Sequence, residues 1–219
     1  MRDQEITEGS IYGPKYPKIN SLYKRDCLNK IMVGNYVDPV FEMLSGIMWS
    51  CTEKVDGMNI RVHWDGENLN FCGRTDKSML PAIMVTKLNS LFTKQKMMAE
   101  VGIAPMTLYG EGFGEGIQSG GSYRIGAVDF ILFDILVDGT YWLPRAEMMH
   151  MASRLGLAVV PLLMTDTLPN CVDMVRDGFP SSIAERPRPA EGLVLKPMVG
   201  LRDMKGERII TKLKTKDFA

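Results

Sequence analysis

The hydrophobic period of the chain changes several times, and each change marks an element. Over residues 58–64, Met58, Ile60, Val62 and Trp64 alternate with Asn59, Arg61 and His63, the period-two pattern of a half-buried strand. Asp65-Gly66-Glu67-Asn68 supplies turn chemistry, so residues 69–74 are expected to return as the second strand of a hairpin. Asn59 and Arg61 then share its polar face, and Arg61 and His63 read as hairpin-surface residues. Residues 78–100 switch to helical spacing, with Leu80, Met84, Leu88 and Leu91 forming an apolar stripe. Residues 106–111 read as a strand that enters a glycine-rich segment, 110–116. Residues 128–137 read as a nearly continuous apolar strand interrupted by Asp134. Helices are expected over 145–155 and 168–178, a loop over 180–189, and two final strands over 192–196 and 207–214. Residues 1–45, punctuated by Gly13-Pro14, Pro17 and Pro39, read as irregular, with room for one short strand or helix.

Many strands with few interspersed helices predict an α+β fold of largely antiparallel sheets. A chain of 219 residues, 45% of them hydrophobic, suffices for one sizeable core. The expected organisation is therefore one domain, 1–219, with 1–45 as an irregular N-terminal segment and 46–219 as the core. Lys+Arg and Asp+Glu both total 26, so no global field draws the chain to a polyanion, which must be held by a local basic surface. Two stretches qualify: one with Lys15, Lys18, Lys24, Arg25 and Lys30, the other over 196–216. A charged stretch is by default a solvated face, and the first is left unassigned.

Cys27, Cys51, Cys72 and Cys171 are irregularly spaced, with no CxxC, and His63 and His150 are the only histidines. That pattern argues against a zinc centre or a disulfide framework and fits a reducing cytoplasm. No apolar run is long enough to cross a bilayer, and the N-terminus lacks an apolar signal core, so no membrane partner is expected. Seventeen methionines suit adaptable packing.

The central chemical signal is Thr52-Glu53-Lys54-Val55-Asp56-Gly57, a K-x-D-G at the mouth of the predicted hairpin. A lysine is a nucleophile through its unprotonated amine, and a glycine beside it lets a nucleotide approach the backbone. Alone the tetrad is weak, since an exposed turn reads the same way. Its weight comes from its downstream partners and their order along the chain. Gly73-Arg74-Thr75 offers a guanidinium for phosphate. Tyr109-Gly110-Glu111-Gly112 sets a carboxylate among glycines, where ribose hydroxyls could be bound. The stretch 130–134 offers aromatic rings, which by default belong to the core. Glu191-Gly192-Leu193-Val194-Leu195-Lys196 places another carboxylate at a strand start. Period two puts Lys212 and Lys214 on one face of the last strand, a geometry fit for phosphate. The segment 110–116 is not a phosphate loop: it has no Gly-Lys-Ser/Thr and fails GxGxxG. Residues 120–124 read as a flexible loop, with Arg124 a weak phosphate candidate.

This order resembles the covalent nucleotidyltransferase superfamily of ATP-dependent DNA ligases, RNA ligases and mRNA capping enzymes, and most closely the RNA ligase family that includes the phage RNA ligase 2 enzymes. The resemblance runs from about Tyr16 to Phe218. It implies an α+β, ATP-grasp-like nucleotidyltransferase (adenylation) domain with flanking helices. The implied function is an ATP-dependent RNA ligase: self-adenylylation at Lys54, AMP transfer to a 5′-phosphate, and sealing with a 3′-hydroxyl, as in nucleic-acid repair. Carried over by residue, it makes Lys54 the nucleophile on the ATP α-phosphate. Glu53 would help to read the adenine edge and Phe133, which Asp134 directly follows, would stack on the base. Arg74 would contact phosphate or ribose, and Glu111 the ribose hydroxyls. Glu191 would act near the metal and the nucleophile, with Glu111 as a second carboxylate for Mg²⁺ or Mn²⁺. Lys196, Lys212 and Lys214 would hold phosphate oxygens, and Asn59 occupies a position associated with sealing.

The implied partner is nucleic acid with 5′-phosphate and 3′-hydroxyl ends, RNA favoured over DNA, in a bacterial or phage-infected cytoplasm. Five residues follow Lys214, too few for the OB-fold domain of DNA ligases and capping enzymes. Two readings stay open beside the RNA ligase, a DNA ligase-like adenylyltransferase and a nucleotide-binding module that does not seal. A helper protein or a domain in trans would supply whatever sealing lacks.

Overall fold

A computed structural model of the chain describes residues 10–118, 121 and 123–218. The first elements in chain order are β1 (Asn20–Ser21), β2 (Tyr23–Arg25), β3 (Ile31–Tyr36), α1 (Pro39–Met43), β4 (Trp49–Glu53), β5 (Met58–Trp64), β6 (Leu69–Cys72), α2 (Ala82–Leu91), α3 (Lys94–Glu100) and β7 (Met106–Gly114). Then come β8 (Val128–Val137), β9 (Tyr141–Trp142), α4 (Arg145–Arg154), β10 (Ala158–Val159), β11 (Leu162–Asp166), α5 (Leu168–Asp177), β12 (Gly192–Pro197) and β13 (Thr211–Lys214). The fold is α+β with largely antiparallel sheets, and the chain divides into two compact units. Residues 10–17 and 57–159 form one, and residues 18–56 and 160–218 the other.

The first unit is built on a six-stranded sheet, ordered β10-β8-β7-β5-β6 with β9 beside β8. Register sets Asn59 opposite Glu111, Arg61 opposite Tyr109 and His63 opposite Thr107, so these six side chains share one face. The other face carries Ile60, Val62, Trp64, Met106 and Leu108. It is covered by Met84 and Leu88 of α2, Met97 of α3, and Met148 and Ala152 of α4. The helical stripe expected over 78–100 is two helices. Phe92 is extended and buried in this core, and Thr93 restarts the chain as the cap of α3, accepting from the Lys96 N–H. The strand expected to stop at Glu111 runs on through Gly114. It can do so because Gly110 and Gly112 lie flat against their neighbours: a Cβ on Gly110 would stand 2.2 Å from the Phe130 ring.

The second unit holds a five-stranded sheet, ordered β1-β13-β12-β4-β11, with α5 packed on the face of Trp49, Cys51, Leu193, Leu195 and Leu213. The antiparallel register brings Glu53 opposite Leu193 and Lys214 opposite Gly192. Lys54, Glu191 and Lys214 are thereby gathered at one end of the sheet. The N-terminal segment is more regular than its prolines and glycines suggest, since β2 and β3 pair as a hairpin and Asp38 caps α1. The last strand is shorter than expected. Asp203 accepts from the N–H groups of Lys205 and Glu207, folding 203–207 into a turn, and pairing in β13 starts at Thr211.

Candidate active site

In the five-stranded unit, Lys54 directly follows β4, and its N–H is fixed by the Gly192 carbonyl at 2.9 Å. Its Nζ lies 2.5 Å from Glu191 Oε2, and Lys214 Nζ lies 2.8 Å from Glu191 Oε1. One carboxylate thus bridges two ammonium groups. Burial pushes the Glu191 carboxyl up, but the Lys54 charge and the Lys214 hydrogen bond outweigh it and hold the group below its ordinary value. Lys212 shares the face of Lys214 one pair further along β13, as period two requires. Lys196 is on that same face but stands opposite Ser50, toward the far end of β4, so register does not bring it to the Glu191 cluster.

Glu53 is only 1% exposed because it shares the inward face of β4 with Trp49 and Cys51. Its carboxylate, expected at an adenine edge, accepts from the Ser181 hydroxyl, and from the Ser182 N–H at 2.9 Å and hydroxyl at 2.6 Å. Asp56 faces Arg188 at 3.7 Å. Residues 180–189, expected as a loop, close on themselves through a Pro180–Pro189 bridge. Ser181, Ser182 and Arg188 went unnoticed in the sequence. The one clue to them is that a carboxylate on the apolar face of a strand must find donors.

In the six-stranded unit the polar face carries the remaining residues. Asn59 stands directly opposite Glu111, and its Oδ1 is buried with no hydrogen-bond partner among the described residues. The glycine of K-x-D-G is required here: a Cβ on Gly57 would meet the Gly112 carbonyl at 2.2 Å and the Glu111 side chain at 3.0 Å. Phe133 owes its place to a register shift. Tyr109 pairs with Asp134 and Gly110 with Leu132, leaving Phe133 with no cross-strand partner. Such bulges re-aim side chains. Phe133 is half-buried beside the polar face, whereas Phe130, 2% exposed, is core. The Tyr16 ring meets Phe133 edge-on at 5.0 Å, and its hydroxyl donates to Asp134 at 2.8 Å. Arg74 is exposed on the turn after β6.

Two surface assignments are corrected. Arg61 is fully buried and His63 half-buried, because residues 10–17 lie across their face and Gly13 packs against the His63 ring. Burial lowers the His63 pKa. Arg124 is occupied by Asp129, at 2.6 Å, which also binds Lys87. Three positions of the loop around it, 119, 120 and 122, lie outside the described residues.

Among the described residues no group of three His, Cys, Asp or Glu side chains is placed to hold a metal. Mg²⁺ needs no such cage: it takes one or two carboxylates and completes its shell with water and substrate phosphates. The donor set fits a cation that arrives with a polyphosphate.

A family model described as RNA ligase matches residues 47–214. A comparison with curated protein sequences gives no match. Among solved structures, the chain is similar to a mutant Naegleria gruberi RNA ligase with ATP and Mn, at 20% identity and TM-score 0.63, over 93% of this chain and 62% of that one. A second mutant of that enzyme, with AMP and Mn, matches at 21% identity and TM-score 0.65, over 92% and 62%. The same enzyme with PPi matches at 22% identity and TM-score 0.61, over 93% and 62%. At these identities the likeness carries the fold, and the chain spans less than two thirds of the length of the structures it matches.

Proposed function

The chain belongs to the RNA ligase family, and from that premise we propose that it is an ATP-dependent RNA ligase working through a lysyl–AMP at Lys54. The observation that carries this reading is the Lys54–Glu191–Lys214 cluster, which pins one amino group against a carboxylate at a sheet end. In the first step Lys54 Nζ attacks the ATP α-phosphorus, an N–P bond forms, and pyrophosphate leaves. Glu191 Oε2, 2.5 Å from Nζ, would accept the proton that Nζ must lose. Lys214 and Lys212 neutralise phosphate oxygens as charge moves onto the leaving group. Arg74 contacts phosphate, Glu111 the ribose hydroxyls, and Phe133 the base. With its carboxylate held by Ser181 and Ser182, Glu53 fixes the strand end from which the adenine edge is read. Glu191 in the five-stranded unit and Glu111 in the six-stranded one are each a carboxylate that would hold a divalent cation or its waters. That cation would supply charge neutralisation at the phosphates.

A 5′-phosphate oxygen of RNA then attacks the lysyl–AMP phosphorus and frees Lys54. Finally a 3′-hydroxyl attacks the activated 5′-phosphorus and expels AMP. The deciding experiment incubates the protein with labelled ATP and Mg²⁺ or Mn²⁺, then resolves it by denaturing electrophoresis. An acid-labile adduct is expected with the wild type and none with Lys54→Ala. Label on the Lys54→Ala protein sinks the assignment.

A further inference from the structure

Arg61 sits on β5, opposite Cys72 of β6 and Tyr109 of β7, and is fully buried. A guanidinium carries five N–H donors and a charge that cannot be shed, so burying one is costly unless acceptors surround it. An aliphatic residue here would pack without that cost. The acceptors are not scattered. Nε donates to the Gly73 carbonyl at 3.0 Å, and Nη2 to Asp76 Oδ1 at 2.6 Å and Cys72 Sγ at 3.4 Å. Cys72 ends β6 and Gly73 and Asp76 lie in the turn after it, so the three flank Arg74 on both sides. The fourth bond runs from Nη1 to the Gly13 carbonyl at 2.9 Å, roofing the guanidinium.

The turn is tight in its own right. Cys72 Sγ donates to the Thr75 carbonyl at 3.1 Å, and Ser78 bonds back to Thr75 through both its hydroxyl and its N–H. The Arg61 hydrogen bond holds the Asp76 carboxyl below its ordinary value, so Asp76 is ionised at neutral pH. Within this frame Arg74 and Thr75 are exposed, and Arg74 is the one that carries a charge.

We propose that Arg61 is a positioning residue for Arg74: its buried guanidinium locks the turn 72–76 and so fixes the angle at which Arg74 meets phosphate. The inference rests on the phosphate-contacting role proposed for Arg74. Arg61 touches no reacting atom. Planar, forked donation is what the turn uses, and a lysine, with one flexible ammonium, cannot reproduce it.

The experiment is a double-mutant cycle on the full chain. Arg61→Lys keeps the charge and loses the fork. Asp76→Asn, at a side chain one-third exposed, loosens the turn without emptying the core. Each is made alone and with Arg74→Ala. Single-turnover lysyl–AMP formation, sealing of pre-adenylylated RNA and the melting temperature are read for all. With Arg74 present, each change is expected to slow the Arg74-dependent step about tenfold or more, and in the Arg74→Ala background by less than about twofold. Equal losses in both backgrounds overturn the proposal and make Arg61 a general prop of the sheet. If Arg61→Lys fails to fold, the Asp76→Asn cycle decides alone by the same criterion. An Arg74→Ala protein unimpaired in every step removes the role of Arg74 itself, and the proposal falls with it. Failure of the positioning role alone leaves Arg74→Ala impaired and the cycle additive.

Discussion

Glu191 touches both Lys54 and Lys214, and its depressed pKa ties the integrity of that cluster to pH. Linkage sets the sign. A carboxyl whose pKa is lower in the folded than in the unfolded chain contributes stability above its ordinary value, here 4.5, and loses it as pH falls through the folded value. Wild type should therefore be more stable than Glu191→Gln at pH 7, with the gap closing below about pH 4.5, as read by denaturant melts across pH. A gap that persists at low pH would mean that packing, not the ion pairs, sets the difference. Phe133 and Phe130 give a second contrast at this scale. Stacking on a base is worth about 1–3 kcal/mol, so Phe133→Ala should weaken ATP use by roughly tenfold to a hundredfold with little loss of stability. Phe130→Ala should instead cost about 3–5 kcal/mol of stability. Both are read from ATP titration of lysyl–AMP formation beside melts. At this scale the resemblance in motif order pointed to Lys54, Glu191 and Lys214, and period two to the shared face of Lys212 and Lys214. Arg61 was not legible. Alternation reveals which face a residue takes, and it cannot show that a segment some fifty positions earlier covers that face.

Gly110 shows why the element scale was read only in part. A glycine-rich run suggests a break, yet β7 passes through it, because what the glycines supply is room: a Cβ at 110 would meet Phe130 at 2.2 Å and the Ile131 carbonyl at 2.6 Å. Gly110→Ala should thus cost about 1–3 kcal/mol, as overpacking does. Gly46→Ala, where nothing lies within 4 Å, should stay within about 0.5 kcal/mol. Chemical denaturation of both variants checks the pair, and a neutral Gly110→Ala would mean that the sheet yields there. Long apolar runs such as β8 were legible to the residue, since a strand largely buried on both faces reads as an apolar run despite Asp129 and Asp134. The break between α2 and α3 was hidden by Phe92, whose apolar side chain continues the stripe while its backbone is extended. The strands β4 and β11 lie in short mixed stretches whose partners are distant in sequence: β11 pairs with β4 across more than a hundred residues.

The molecule separates its chemistry by unit, and no periodicity shows that, because the chain leaves the five-stranded unit after Asp56 and returns at Val160. Lys54, Glu191, Lys212 and Lys214 belong to the five-stranded unit, and Asn59, Glu111, Arg74 and Phe133 to the six-stranded one. Net charge is zero, so any hold on a polyanion would rest on local groups, and under the proposed reaction the two sets separate by step. In the proposed reaction Lys212 and Lys214 would neutralise the triphosphate, and each lost charge-assisted contact costs about 1.5–3 kcal/mol. Lys212→Ala and Lys214→Ala should therefore slow lysyl–AMP formation by roughly tenfold or more. Asn59 lies two residues beyond the glycine of K-x-D-G, with a buried Oδ1 that has no partner among the described residues. In the proposed reaction Asn59 would position the adenylylated 5′-phosphate for sealing. Asn59→Ala should retain lysyl–AMP formation and lose sealing. Pre-adenylylated RNA bypasses the first step, so it should rescue the Lys212 and Lys214 variants in part and leave Asn59→Ala inactive. If Asn59→Ala fails to form lysyl–AMP yet seals pre-adenylylated ends, the division of labour is reversed. If wild type forms lysyl–AMP but seals neither substrate, sealing requires a component supplied in trans.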